Sequence, residues 1–170
     1  MMIVDTHTHI FPDDAAERIL QYTAQQFNVK VYGNGTASDL LAQMDESGVE
    51  HAVIHMVATT PQSVKEINTW LINLKEPRFV KFGTVLPFQK DCREELRRLR
   101  DNGIGGIKLQ PEVQGFTVDD AAVTYPVYEE LVRCGMAVMF HVGGNPAVTA
   151  NARSTPRMVL RVAQDFPELV

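Results

Sequence analysis

A chain of 170 residues is long enough for one domain that buries about two thirds of the surface exposed in its unfolded state. Its apolar fraction of 45% and charged fraction of 22% are typical of a soluble globular protein. The net charge of −5 gives no overall basic surface for nucleic acid, and no stretch approaches the ~18 apolar residues of a membrane span. Cys92 and Cys134 lack metal-type spacing, which predicts reduced packing residues in a cytoplasmic protein.

The first predicted strand, Ile3 to Ile10, carries two histidines. His7 and His9 are two residues apart, and side chains at that spacing project from the same face of a strand. Imidazole is the commonest neutral metal ligand in proteins, so the pair fits one part of a metal site. Ordinary strand polarity explains the same spacing, and spacing alone leaves both interpretations open. Asp5 shares the parity of the histidines but lies deeper, so we expect it to support the ligands rather than bind the metal.

Strand and helix patterns alternate along the whole chain. The predicted strands cover residues 3–10, 52–57, 79–86, 104–109 and 136–142. The predicted helices cover residues 15–27, 36–48, 63–74, 91–99, 126–134 and 155–167. Continuous apolar runs are typical of strands buried on both faces of a parallel sheet. Five such units predict either an open doubly wound sheet or the first five units of a (βα)₈ barrel, and the pattern alone does not separate the two.

Two helix starts carry capping signals. Thr36 or Ser38 can accept a hydrogen bond from the first turn of the second helix. Asp91 with Glu94 predicts a capping box at the start of the fourth helix.

The last six residues, Asp165 to Val170, leave a helix and run toward a further strand. A (βα)₈ domain has about 250 residues, so three more units would complete one. We therefore expect residues 1–170 to form a single domain that is the N-terminal part of a barrel.

Four segments together carry a family resemblance. Three are strand ends, namely Asp5 to Pro12, Gly106 to Pro111 and Phe140 to Gly144, and the fourth is Met44 to Ile54. In this order and spacing, from Met2 to Val170, they resemble the amidohydrolase superfamily. The chain is most similar to the branch that contains aminocarboxymuconate-semialdehyde decarboxylase and related metal-dependent hydrolases. The resemblance implies a (βα)₈ TIM barrel, which resolves the choice between the two architectures.

The resemblance also implies a metal site. His7, His9 and His141 would be the ligands of a divalent ion, with Zn²⁺ favoured over Mn²⁺ by the histidine set. Three histidines fit the pattern of catalytic zinc, which keeps a fourth position open for water. Some family members carbamylate a strand-four lysine that bridges two metals, so Lys108 is a candidate for metal or substrate binding. The family's later histidine and aspartate have no counterpart in the sequence, and the catalytic residues stay unassigned.

The implied activity is metal-dependent hydrolysis of a C–N or C–O bond in a small molecule, through a metal-activated water. Three alternatives stay open: a decarboxylase of the same family, a TatD-like nuclease and a catalytically incomplete fragment. The nuclease would favour glutamate after strand four, where this chain has Lys108. We expect a small-molecule substrate and no nucleic-acid or membrane partner, and we leave homo-oligomers open.

Other polar residues have simpler interpretations. His55 lies mid-strand among apolar neighbours and is interpreted as a core histidine with satisfied hydrogen bonds. His51 precedes that strand and is expected to be solvated. Asn145-Pro146 and Arg153 follow the fifth strand, where we expect residues to contact the substrate.

Overall fold

The computed structural model describes residues 2–143 and 152–170. Its strands are β1 (Val4–Thr8), β2 (His51–His55), β3 (Phe79–Thr84), β4 (Gly106–Leu109) and β5 (Ala137–Phe140). Its helices are α1 (Asp13–Phe27), α2 (Ala37–Ser47), α3 (Pro61–Asn73), α4 (Cys92–Asp101), α5 (Pro111–Gln114), α6 (Tyr125–Cys134) and α7 (Pro156–Asp165). Within the described part of the chain, no helix is both long enough and apolar enough to cross a membrane.

The five strands form one parallel sheet whose spatial order, β1-β2-β3-β4-β5, follows the chain. In a doubly wound sheet the strand order reverses at a switch point, whereas consecutive parallel neighbours are the arrangement of a (βα)₈ barrel. The sheet curls into a half-barrel, which confirms the predicted fold class. The backbone N–H of Val138 in β5 donates to the carbonyl of Val170 at 2.7 Å, so the last residue lies alongside β5.

The hydrophobic core lies between the sheet and the helices that cover its outer face. Its largest cluster comes from β2, β3, β4, α3, α4 and α6, and it includes the fully buried side chains of Ile54, Leu71, Leu99, Ile107 and Leu131. The inner face of the first strand is open by contrast, since the residues of β1 before Thr8 are exposed. The fold thus has a packed outer layer and an accessible concave side.

The cap predicted from the sequence is present at α2 but not at α4. Thr36 caps α2, since its hydroxyl accepts a hydrogen bond from the backbone N–H of Asp39 at 3.2 Å. The predicted capping box at Asp91 and Glu94 is wrong. Asp91 has ψ of 19°, outside the extended region that an N-cap residue adopts, and its carboxylate accepts a hydrogen bond from Gln89 instead.

Helix α5 was not predicted, and it ties the strand ends together. The amide nitrogen of Gln114 donates to the carbonyl of Ala58 and to the carbonyl of Val85, both at 3.0 Å. These acceptors follow β2 and β3, while Gln114 itself follows β4. Three neighbouring strand ends are therefore held in register on the side where a parallel barrel places its functional residues.

Two adjacent glycines before and in β4 differ sharply in the space around them. A Cβ at Gly106 would lie 2.7 Å from the carbonyl oxygen of Ala137 and 2.7 Å from the ring of Phe82, whereas a Cβ at Gly105 would have no atom within 4 Å. Gly106→Ala is expected to destabilise the protein by about 1–3 kcal/mol through overpacking. Gly105→Ala, the matched control, is expected to be neutral or to stabilise by up to about 1 kcal/mol. Urea unfolding measures both, and equal effects of the two substitutions would contradict this packing.

Candidate metal centre

The first strand is irregular where it carries its histidines. Val4 and Asp5 pair with His51 and Ala52 in register, but Thr8 pairs with Ile54, so β1 contains one residue more than β2 over the same length. Such an extra residue is a β-bulge, which bends the strand and redirects side chains. The carboxylate of Asp5 accepts a hydrogen bond from the backbone N–H of His7 at 3.0 Å. Asp5 therefore fixes the backbone of a predicted ligand.

Three histidines meet at the carboxyl ends of β1 and β2: His7 in β1, His9 just after it and His55 at the end of β2. The ring centroids are 5.3 Å apart for His7 and His9, 4.5 Å for His7 and His55, and 4.4 Å for His9 and His55. One ring nitrogen of each residue lies within 4.8 Å of one nitrogen of each of the others. We call this set the three-histidine cluster. It brings the predicted pair together with a residue that the sequence had assigned to the core.

A hydrogen bond orients His9. Its Nδ1 lies 3.0 Å from the backbone carbonyl oxygen of His55. Because a carbonyl only accepts, Nδ1 must carry the proton, and the lone pair of the neutral ring is then on Nε2. Metal-ligating histidines commonly donate their other nitrogen in this way, which fixes both tautomer and ring orientation. His9 is therefore prepared to bind a metal through Nε2.

His55 is buried without the hydrogen bonds expected of a core histidine. Its side chain is 1% exposed, and neither Nδ1 nor Nε2 has a hydrogen-bond partner among the described residues. The interpretation of a satisfied core histidine is therefore wrong. The apolar pattern predicts a strand to residue 57 with His55 in its middle, but β2 ends at His55. A strand-end position was the signal that could have identified it.

Burial keeps the cluster neutral. Burial, with added repulsion from His9, Lys108 and His7, lowers the pKa of His55 to about 2. Burial and the neighbouring His7 lower the pKa of His9 to about 4. At His9 the backbone hydrogen bond to His55 acts in the opposite direction and raises the pKa. The pKa of His7 is also lowered, by burial and then by Lys108. Neutral imidazole is the form that binds metals.

Lys108 lies beside the cluster on β4. It is 2% exposed, and its Nζ has no hydrogen-bond partner among the described residues, so it does not pair with Asp5. Burial lowers the pKa of Lys108. A buried amine with no partner is costly unless a ligand satisfies it. Lys108 therefore offers a donor to a bound molecule near the histidines.

His141 lies next to the cluster but outside its closest set. It follows β5, its backbone N–H donates to the carbonyl of Leu109 at 2.9 Å, and its side chain is half-buried. It is near enough to His7 for its charge to contribute to the lowered pKa of His7. Its role as a metal ligand together with His7 and His9 stays a prediction.

The segment after His141 is described in part. Asn145-Pro146 lies outside the described residues. The backbone N–H of Arg153 donates to the carboxylate of Glu112 at 3.0 Å, and its guanidinium donates to the carbonyl of Gly115 at 3.4 Å. Arg153 thus joins this segment to α5, and this backbone contact occupies one guanidinium nitrogen.

The donor set of the cluster suits a transition metal. Three neutral imidazoles are the protein ligands of one common class of catalytic zinc site, in which a fourth position binds water. The orphaned nitrogens of His55 and the fixed tautomer of His9 are what such a site requires. The residues present therefore fit a bound divalent ion.

Comparisons with solved structures show the same fold. A 4-oxalomesaconate hydratase from Rhodopseudomonas palustris is 22% identical, with a TM-score of 0.66, and the match covers 99% of this chain and 61% of that one. A probable 2-pyrone-4,6-dicarboxylic acid hydrolase from Acinetobacter baumannii is 16% identical, with a TM-score of 0.58, and the match covers 99% and 55%. A dihydroorotase from Campylobacter jejuni is 18% identical, with a TM-score of 0.51, and the match covers 99% and 46%.

The chain thus spans between about half and three fifths of the length of these structures. No curated protein is significantly similar to it in sequence. The amidohydrolase family model matches residues 4–170, nearly the whole chain. The protein belongs to the amidohydrolase family.

Proposed function

We propose that this protein acts as a metal-dependent hydrolase that cleaves a C–N or C–O bond of a small molecule. The observation that carries the proposal is the meeting of three neutral histidines at the carboxyl end of parallel strands. Family membership and the hydrolase and hydratase names of the structural neighbours support an enzyme of this broad class. We assign the ion as Zn²⁺ because the donors are imidazoles without thiolates. The two free cysteines, Cys92 and Cys134, are consistent with a cytoplasmic location.

The residues of the chain have distinct roles in this proposal. His7 and His9 would hold the ion, and His141 would add a ligand from the residue after β5. Asp5 holds the backbone of His7 in place. When bound, a divalent ion supplies a water whose pKa falls from about 15.7 toward 7, and it polarises a substrate carbonyl. The buried Nζ of Lys108 donates a hydrogen bond to a substrate oxygen.

The substrate class follows from Lys108 and from the neighbours. One neighbour is named as a hydrolase of 2-pyrone-4,6-dicarboxylic acid. A carboxylate on the substrate would give the unpartnered amine of Lys108 the acceptor that the described residues do not supply. We therefore propose a small carboxylated lactone or amide as the substrate.

The proposal is tested by hydrolysis assays on the Zn²⁺-loaded protein with a panel of carboxylated lactones and cyclic amides. We expect ring opening without release of CO₂, and a loss of at least about 100-fold in kcat/KM for His9→Ala, since even partners of metal ligands change activity 10–100-fold. His51→Ala, which alters the other end of β2, is the control and should retain activity. Release of CO₂ would identify a decarboxylase instead, and a metal-loaded protein that turns over no member of the panel would contradict the proposal.

A further inference from the structure

We propose that His55 is a direct ligand of the metal ion, so that β1 and β2 together supply three protein ligands. The inference rests on the proposed metal dependence and goes beyond it. The resemblance that suggested the site places its ligands on strands one and five, and it gives no role to a histidine on strand two. His55 reaches the site because the end of β2 lies beside the bulged end of β1.

The ring nitrogens of the three histidines are close enough to share one ion. One ring nitrogen from each of His7, His9 and His55 lies within 4.8 Å of the others, and His141 is not part of this set. Nitrogens bound to one tetrahedral zinc ion at about 2.0–2.1 Å are about 3.4 Å apart. The cluster must therefore contract by at most about 1.4 Å between any pair, which small side-chain rotations achieve.

His55 is buried without hydrogen bonds. A buried polar group in that state is destabilising, because it has lost its water partners and gained none. Both ring nitrogens of His55 are in this state among the described residues, and the side chain is 1% exposed. If this position served only for packing, a leucine would fill it without this cost. A metal bond to one nitrogen supplies the missing partner.

His55 already contributes to the site through its backbone. Its carbonyl accepts the Nδ1 proton of His9 and so directs the Nε2 of His9 away from that bond. The rings of His9 and His55 are nearly perpendicular, at 83°, and those of His7 and His55 at 80°. These rings meet edge to face rather than stacked. One residue thus orients a ligand with its backbone and binds with its side chain.

The direct test uses the five histidines of the chain. Protein labelled with ¹⁵N in its imidazoles is titrated with ¹¹³Cd²⁺, a spectroscopic substitute for Zn²⁺, and the spectra of five variants, each with one histidine replaced by glutamine, assign the signals. Only a nitrogen bonded to the ion is split by coupling to ¹¹³Cd. We expect split signals from His7, His9, His55 and His141, and an unsplit signal from His51.

Splitting at His7 and His9 without splitting at His55 would overturn this inference and leave the proposed metal dependence intact. If no imidazole is split and Zn²⁺ also fails to bind, both proposals are wrong.

A second measurement separates a ligand from a packing residue. His55→Leu removes both nitrogens and retains an apolar side chain in the buried position. We expect the Tm of the metal-free protein to be unchanged or raised, and the affinity for Zn²⁺ to fall at least about 100-fold. His51→Leu is the matched control on the same strand and should leave the affinity within about twofold. A lowered Tm of metal-free His55→Leu with unchanged Zn²⁺ affinity would show a structural role only.

Discussion

Replacing His7 with alanine is expected to lower the affinity of the protein for Zn²⁺ by at least about 100-fold, because it removes a ligand and not merely a residue that supports one. His7 belongs to the three-histidine cluster and lies on the exposed inner side of β1, so its loss leaves the packed outer layer intact. Isothermal titration with Zn²⁺ measures the affinity, and metal analysis after dialysis measures the stoichiometry. We expect one ion per chain in the wild type and none retained by His7→Ala.

The control for this prediction is His51→Ala. His51 begins β2, four residues before His55, and the rise of about 3.3 Å per residue places it about 13 Å from the cluster. The substitution His51→Ala removes an imidazole from the same sheet without removing a member of the three-histidine cluster. Equal loss of Zn²⁺ in both variants would point to nonspecific binding by surface histidines and would contradict the assigned site.

Replacing Asn68 with alanine is expected to cost about 3 kcal/mol or more of the free energy of unfolding. Asn68 is fully buried on α3, where its amide donates to the carbonyl of Thr84 at 2.8 Å and accepts from the N–H of Thr84 at 2.9 Å. The same amide donates to the carboxylate of Glu95 at 2.6 Å. Alanine leaves these buried groups without partners, at about 1–3 kcal/mol each when water cannot reach them.

Asn73→Ala supplies the matched comparison, since Asn73 is exposed at the end of the same helix and should change stability by no more than about 0.5 kcal/mol. Urea unfolding followed by circular dichroism measures both variants. An effect of Asn68→Ala below about 1 kcal/mol would show that water replaces the lost amide. Thr84 ends β3 beside Lys108, so the same measurement tests how firmly α3 holds a strand end near the site.

The architecture could be predicted from the sequence because its signals are local. Apolar runs such as residues 52–57 and 104–109 marked strands that are buried on both sides, and each was followed by a helical pattern. Glycine in the left-handed region ended α2 at Gly48, as the pattern indicated. Helix α5 escaped prediction because four residues are too few for helical periodicity to show.

The site could be predicted only in part, because it depends on how two strands meet. The pair His7 and His9 was visible as a spacing within one strand. The contribution of His55 depends on the register of β2 against β1 and on where β2 ends. Local composition predicts neither of them. An error of two residues in one strand end was enough to assign His55 to the core. The unpaired state of Lys108 likewise arises from tertiary packing alone.

The bulge in β1 has a consequence for protein engineering. Thr8 is three residues after Asp5 in β1, whereas its partner Ile54 is two residues after Ala52 in β2. β1 therefore contains one extra residue. Deleting a single residue there would give a regular ladder in which Thr8 still pairs with Ile54, and it would remove the irregular backbone on which His7 lies. A chimera that borrows this strand must therefore carry the irregularity with it, since His7 lies within the irregular stretch between Asp5 and Thr8.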